Sequence, residues 1–307
     1  MAKKVKDPGF GYRSNKNLKP VINKDGTSNV LHLNSKIKLS DLYVYCIDLS
    51  WGKFFLLIIL NYTVLNILFG LAYVFIGIEQ ITHTSGSFFY DLLNGFFFSA
   101  QTLTTVGYGS ISPLGLAANF IAAFEAMLGL LCFSFITGLL YGRFSKAKAA
   151  LLFSDNLIIS EFKEHKALMF RLMNNRKTVM IEPEIKVTLS ISEKNEKGEY
   201  ERSYFRITLA RDKIMYLPTV WTIVHEIDDT SPLYKYSNEE IKKLDAELYI
   251  LVQYHEESYS QKVYQVISYD FTTLLCNVKY VRSYDFDEEG YTVLNHDKLS
   301  EVEPLLK

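Results

Sequence analysis

Thr104, Thr105, Val106, Gly107, Tyr108 and Gly109 are the residues of this sequence best arranged for chemistry, and the chemistry is that of backbone carbonyls. An extended strand alternates its carbonyls from side to side. Turning them all toward one axis needs backbone angles that glycine adopts cheaply, which gives Gly107 and Gly109 their role. A ring of such carbonyls replaces the water that a potassium ion loses on entering a membrane. Thr105 adds a hydroxyl at the inner end. Val106 and Tyr108 must then point away from the ion, and Phe96, Phe97 and Phe98 are expected to pack around them. The expected ligands of K+ are therefore Thr105, Val106, Gly107, Tyr108 and Gly109. One chain supplies one wall, so enclosing the ion takes a homotetramer.

Such a loop works only if a membrane surrounds it. The chain has 307 residues, 49% of them hydrophobic and 22% charged, with a formal net charge of −1. Those values fit a membrane part diluted by a water-soluble part. From Phe54 to Gly142 there is no Lys or Arg, and the only acids are Glu79, Asp91 and Glu125. Cations crowd the sequence before the gap (Lys3, Lys4, Lys6, Arg13, Lys16, Lys19, Lys24, Lys36, Lys38, Lys53) and resume after it with Arg143, Lys146 and Lys148. A cation in hydrocarbon is costly, and a span takes about 20 apolar residues. Spans are expected over 54–78 and 116–144, with Asn61 and Asn66 of the first facing other helices. Both cation-rich flanks lie on one side, which sets both termini in the cytoplasm. Between the spans, 88–103 reads as a helix too short to cross, hence a re-entrant helix leading into the filter at 104–109. The whole pore domain then covers 53–145.

Outside the spans, 1–39 reads as a polar, irregular segment with no signal peptide. Residues 40–52 read as an interfacial helix with Leu42, Tyr45 and Leu49 near one face and Trp51 at the membrane surface. Residues 146–154 are expected as a linker. From 155 to 307 the pattern turns to period two, as in 185–191, 204–209 and 247–252, with turn signals at 195–198 and 287–290. That spacing argues a cytoplasmic β-sandwich, so the fold class is α+β. One helix interrupts the strands, where Ser237 and Glu240 form a capping box. Cys46, Cys132 and Cys276 show neither metal-ligand spacing nor a disulfide framework.

Phe133, Thr137 and Tyr141 are spaced by four and share one face of the second span. Lining the pore, Tyr141 would sit near its cytoplasmic end, where four aromatic rings make a hydrophobic constriction that gates by dewetting. Facing lipid, the same stripe would be packing. Gly129 and Gly138 allow close packing or bending. Glu125, an ionisable residue inside the membrane, is functional or paired by default and is expected behind the filter rather than in the ion path. The adjacent His225 and Glu226 invite a metal reading, but no second His follows at helical spacing, so a structural role is expected. His32, His165, His255 and His296 stand alone. No catalytic constellation is present, so the chain is not read as an enzyme, and neither a cofactor nor nucleic acid is called for.

The chain resembles inward-rectifier potassium channels, most closely their prokaryotic (KirBac-type) members. The resemblance runs over nearly the whole chain. Besides the filter it is carried by residues 23–30, by Ser50 and Trp51, by 137–144 at the exit of the second span, by 167–171, and most specifically by 220–234. It implies a tetramer whose immunoglobulin-like cytoplasmic domains extend the conduction path. It also implies an interfacial helix coupled to the gate, and control by anionic phospholipids or phosphoinositides. Trp51, Lys53, Arg143, Lys146 and Lys148 match the headgroup positions; the plainer alternative for these cations is positive-inside anchoring. A bacterial inner membrane is the implied location.

The sequence departs from the family at Gln101, where a Glu is usual, at Ser110, where prokaryotic members often carry Asp, and at Ala147, where Pro is usual. Phe133 replaces the acid that attracts blocking polyamines in strong rectifiers. Two alternatives to potassium selectivity stay open on the sequence: a non-selective cation channel, against which Tyr108 stands, and a membrane-anchored ligand-binding β-sandwich protein.

Overall fold

The computed structural model describes residues 4–15, 19–34 and 38–305, so the N-terminal cations Lys3, Lys16 and Lys36 lie outside the described residues. The chain divides into two units, one of residues 34–146 and one of residues 1–33 with 147–307.

The first unit is helical. Helix α1 (Leu39–Asp48) begins where the Asp41 carboxylate accepts from the backbone N–H of Lys38 at 2.8 Å. Leu49 and Ser50 are extended, which breaks the helix, and Trp51 opens α2 (Trp51–Ile76) rather than closing α1 as expected. Ending α2 is Gly77 at φ +100°. Ser87 precedes α3 (Phe88–Leu103), and its Asp91 carboxylate gathers Ser85 N–H, Ser85 Oγ and Thr84 Oγ1 at 2.7–2.8 Å. An acid in the first turn also suits the helix dipole. Helix α4 runs Leu116–Ser145. Helices α2 and α4 are long and apolar enough to cross a membrane. At about 1.5 Å per residue, α3 reaches only ~24 Å, short of the ~30 Å hydrocarbon core.

The second unit is a β-sandwich. One sheet orders its strands Lys4–Val5, Tyr200–Ile207, Met180–Lys194, Ala246–Glu256, Gln261–Asp270, with Tyr216–Leu217 beside Met180–Lys194. The other orders Leu275–Cys276, Ile158–Phe162, His165–Asn174, Leu151–Phe153, with Val220–Glu226 also paired to His165–Asn174. Alternate residues of both sheets, such as Leu168, Phe170 and Leu172 against Ile185, Leu189 and Val252, fill one shared core. The short helix α5 (Asn238–Lys243) is opened by the Ser237–Glu240 capping box.

One expectation is corrected here. The segment 146–154 is not all linker, because Leu151–Phe153 already pairs with Leu172–Asn174. The N-terminal segment is largely without regular structure where it is described, as expected, yet it is anchored to the sheet. Lys4 and Val5 pair with Phe205 and Tyr204, and the Phe10 ring stacks on Tyr249 at 4.4 Å. Further on, Asn23 N–H donates to Thr27 O at 2.7 Å in a turn seated on the sheet: a Cβ on Gly26 would lie 2.5 Å from Val266 O.

Candidate functional site: the loop at the end of the re-entrant helix

Thr104 ends α3, and the chain then turns sharply. Gln101 O accepts from Val106 N–H at 2.9 Å and from Gly107 N–H at 3.4 Å, folding the loop back on its own helix. The next residues alternate in hand: φ is +60° at Thr105, +55° at Gly107 and +80° at Gly109. Left-handed residues separated by single ordinary ones turn successive carbonyls to one side, which a β-strand cannot do. The glycines were legible as the permissive positions. Thr105 was not: a β-branched residue at positive φ costs of order 1–3 kcal/mol and persists only where its surroundings over-determine it. Val106 and Tyr108 are exposed within the single chain.

The re-entrant helix is clamped where it meets the two spans. A Cβ on Gly129 would collide with Leu103 O, and one on Gly95 would come within 2.8 Å of Gly70 O. Only glycine lets α4 and α2 approach α3 so closely. Gly138, by contrast, has no neighbour within 4 Å of its would-be Cβ in the chain. Phe98 does not pack around the filter side chains as expected. It is buried against Tyr73 of α2, ring centroids 4.9 Å apart and edge-on, because its position on α3 faces the outer span. Asn66 and Glu125 lie in the same crossing, fully buried. Glu125 Oε2 accepts from Tyr73 Oη at 2.6 Å, Oε1 contacts Ser99 Oγ, and Ser99 Oγ is 2.8 Å from Asn66 Oδ1. Asn61, expected to face a helix as Asn66 does, is exposed.

Phe133, Thr137 and Tyr141 form one exposed stripe on α4, and Thr137 Oγ1 donates to Phe133 O at 2.8 Å. Of the expected headgroup residues, Arg143 lies in the last turn of that helix and Lys146 follows it directly. Lys53 is exposed. Lys146 pairs with Asp48 at 2.5 Å. Arg143 is engaged differently from the expectation. Its Nη1 donates to Cys46 O and Ile47 O at 2.7 and 2.8 Å, and its Nη2 to Leu49 O at 2.7 Å. The guanidinium also lies 4.5 Å from the ring centres of both Trp51 and Phe54. A residue read as a lipid ligand thus caps the C-terminus of α1, a role no local pattern announced. In the other unit Lys148 is exposed, and its carbonyl accepts from Arg176 Nη2 at 3.0 Å.

His225 is buried, between Thr208 O at 2.7 Å from Nδ1 and Ser231 Oγ at 2.8 Å from Nε2. A carbonyl only accepts, so Nδ1 carries the hydrogen and Nε2 takes one from Ser231. Burial pushes the imidazole below its ordinary value, against smaller raising effects of the Thr208 carbonyl, Asp228 and Glu226. No group of metal-ligating side chains occurs among the described residues.

Two spans, a re-entrant helix and a loop of alternating hand define a pore-loop ion channel subunit, here joined to a β-sandwich. Residues 61–146 match the family model described as ion channel, and residues 151–304 the one described as inward rectifier potassium channel C-terminal domain. The chain is 32% identical over 284 residues to the inward rectifier potassium channel Kirbac3.1 of Paramagnetospirillum magnetotacticum, covering 92% of this chain and 95% of that protein. It is 26% identical to inward rectifier potassium channel 18 of Homo sapiens and 28% identical to the ATP-sensitive inward rectifier potassium channel 12 of Gallus gallus, in each case covering 76% of this chain and 59% of the relative. The chain belongs to the inward-rectifier potassium channel family, in its prokaryotic branch, and is a membrane protein that passes K+ without a cofactor.

Proposed function

We propose that four copies of this chain place Thr105, Val106, Gly107, Tyr108 and Gly109 around one axis, where their carbonyls and the Thr105 hydroxyl hold dehydrated K+. The observation that carries this reading is the alternation of positive φ at Thr105, Gly107 and Gly109 directly after α3. The C-terminal end of α3 adds its partial negative charge on the cytoplasmic side of the loop, which favours a cation there. Phe133, Thr137 and Tyr141 line the path below the filter, and Tyr141 narrows it. The pore domain extends over 53–145, with both termini cytoplasmic in a bacterial inner membrane; the run from 54 to 142 without Lys or Arg supports that orientation.

Anionic lipid acts at the cations that flank the spans, Lys53, Arg143, Lys146 and Lys148, together with Trp51. Arg143 and Lys146 are already bonded to α1. A headgroup that drew on either would therefore loosen α1 from α4, which gives the lipid a mechanical route to the gate.

The experiment is K+ flux through purified protein in liposomes, measured with Na+ as competitor, with and without phosphoinositides, and with barium as blocker. Selective, barium-sensitive flux that responds to the lipid is the expected result. Equal passage of Na+ would overturn the filter assignment, and indifference to the lipid would overturn the surface assignment alone.

A further inference from the structure

Among the described residues Glu125 forms no ion pair, and no Lys or Arg occurs from 54 to 142. It is fully buried, and so are Tyr73, Asn66 and Ser99 around it. Hydrogen counting shows what this cluster requires. Asn66 Nδ2 donates to Tyr62 O at 2.7 Å, so Asn66 Oδ1 is the atom that faces Ser99 Oγ at 2.8 Å. Flipping the amide would set Oδ1 against the Tyr62 carbonyl, two acceptors in contact. Tyr73 Oη donates its one hydrogen to Glu125 Oε2. Ser99 has one hydrogen left for two neighbours, Asn66 Oδ1 and Glu125 Oε1. Were Glu125 ionised, both would be acceptors only, and one buried oxygen–oxygen contact would hold no hydrogen.

We propose that Glu125 keeps its proton and acts as a positioning residue. The carboxylic acid donates from Oε1 to Ser99 Oγ, Ser99 donates to Asn66 Oδ1, and Asn66 donates to Tyr62 O, while Tyr73 donates to Oε2. Each oxygen–oxygen contact of the cluster then holds one hydrogen, and no net charge is buried. Leaving one such group unmatched carries the full desolvation penalty, and a buried uncompensated charge carries a larger one. The chain of bonds ties α2 and α4 to Ser99 on α3, the helix whose Gln101 carbonyl holds the N–H groups of Val106 and Gly107. Glu125 thus acts on the filter through the seating of the re-entrant helix, without touching the ion.

The test joins conduction with spectroscopy on the full-length tetramer in lipid. A glutamine at this position can donate to Ser99 and accept from Tyr73, so Glu125→Gln should retain K+ flux and K+ over Na+ selectivity to within about tenfold of the unsubstituted channel. Infrared spectra at neutral pH should show a protonated-carboxyl C=O band in the unsubstituted channel that Glu125→Gln removes and Ser99→Ala shifts. The infrared readout does not depend on conduction, so it decides the proton's place even if the assigned permeation path is wrong. Absence of the band, or a greater loss of flux in Glu125→Gln tetramers that still assemble, would overturn the proposal.

Discussion

Arg143 Nη2 donates to the carbonyl oxygen of Leu49 at 2.7 Å, and through that bond the end of α4 closes the end of α1. The last carbonyls of any helix lack partners within it. Here one guanidinium serves Cys46, Ile47 and Leu49 together, while the rings of Trp51 and Phe54 pack beside it. A cation at a helix C-terminus is also favoured by the dipole. Helices α1 and α4 are therefore joined by a rigid fork rather than by a diffuse charge.

The fork predicts that charge alone is not sufficient. Lysine keeps the charge but presents its donors from a single point, so Arg143→Lys should lose about 1–3 kcal/mol of the capping interaction. The expected outcome is a lower thermal midpoint of the purified tetramer and a shifted open probability in planar bilayers. Identical melting and gating in Arg143→Lys would show that the three carbonyl bonds do not matter.

Gly107 adopts φ +55° with no atom within 4 Å of its would-be Cβ in the chain, so a substitution there is opposed by the backbone and not by space. An L-residue in that region costs roughly 1–2 kcal/mol, repeated in each of four subunits. Gly107→Ala is expected to abolish K+-selective flux while the protein still assembles. Retained selectivity would contradict alignment of the carbonyls as the basis of conduction.

Tyr141 is an exposed aromatic near the end of α4. If four such rings close the path by excluding water, Tyr141→Ala should raise basal flux in liposomes without changing the K+ to Na+ ratio. Unchanged or lower flux in assembled tetramers would remove Tyr141 from the gate.

Acid should destabilise the β-sandwich through His225. Its folded-state value lies below the ordinary 6.5 because of burial. Above 6.5 both folded and unfolded chains carry a neutral ring, and the group adds no pH dependence. Below it the unfolded chain binds a proton that the folded one refuses, so stability falls with falling pH at up to about 1.4 kcal/mol per pH unit until the folded value is reached. Thermal melts of the full chain between neutral and mildly acidic pH should show this slope, and His225→Gln should flatten it. An unchanged slope in His225→Gln would place the acid sensitivity elsewhere.

What could be read from the residues was local. The glycines of the proposed filter, the cation-free helices, the capping box at Ser237 and Glu240, and the alternation in 185–191 each follow from rules that act over a few residues. What could not be read depends on partners distant in sequence. Thr105 adopts a left-handed angle because the loop folds back on Gln101, and nothing about threonine announces it. Phe98 turns to Tyr73 rather than to Val106, since three adjacent phenylalanines on a helix cannot all face one way. Arg143 looked like any cation at the end of a span until α1 supplied its carbonyls. Likewise, the N-terminal segment is polar in composition, yet Phe10 has Tyr249 to stack on.

The two glycines of α4 separate packing from bending. A methyl group on Gly129 would collide with the Leu103 carbonyl, a backbone atom that cannot rotate away, at the point where the re-entrant helix ends. Either α4 shifts outward or the last turn of α3 does, and the second movement displaces Thr104 and the filter behind it. Gly138 meets nothing within its own chain, so a methyl group there changes mainly the helix propensity, which favours alanine by about 1 kcal/mol. Gly129→Ala should therefore lower tetramer yield and selective flux sharply, whereas Gly138→Ala should assemble normally and conduct with an altered open probability. Size-exclusion profiles with the liposome flux assay check both at once. Equal damage from the two substitutions would mean that helix flexibility, and not the contact with Leu103, is what α4 requires of its glycines.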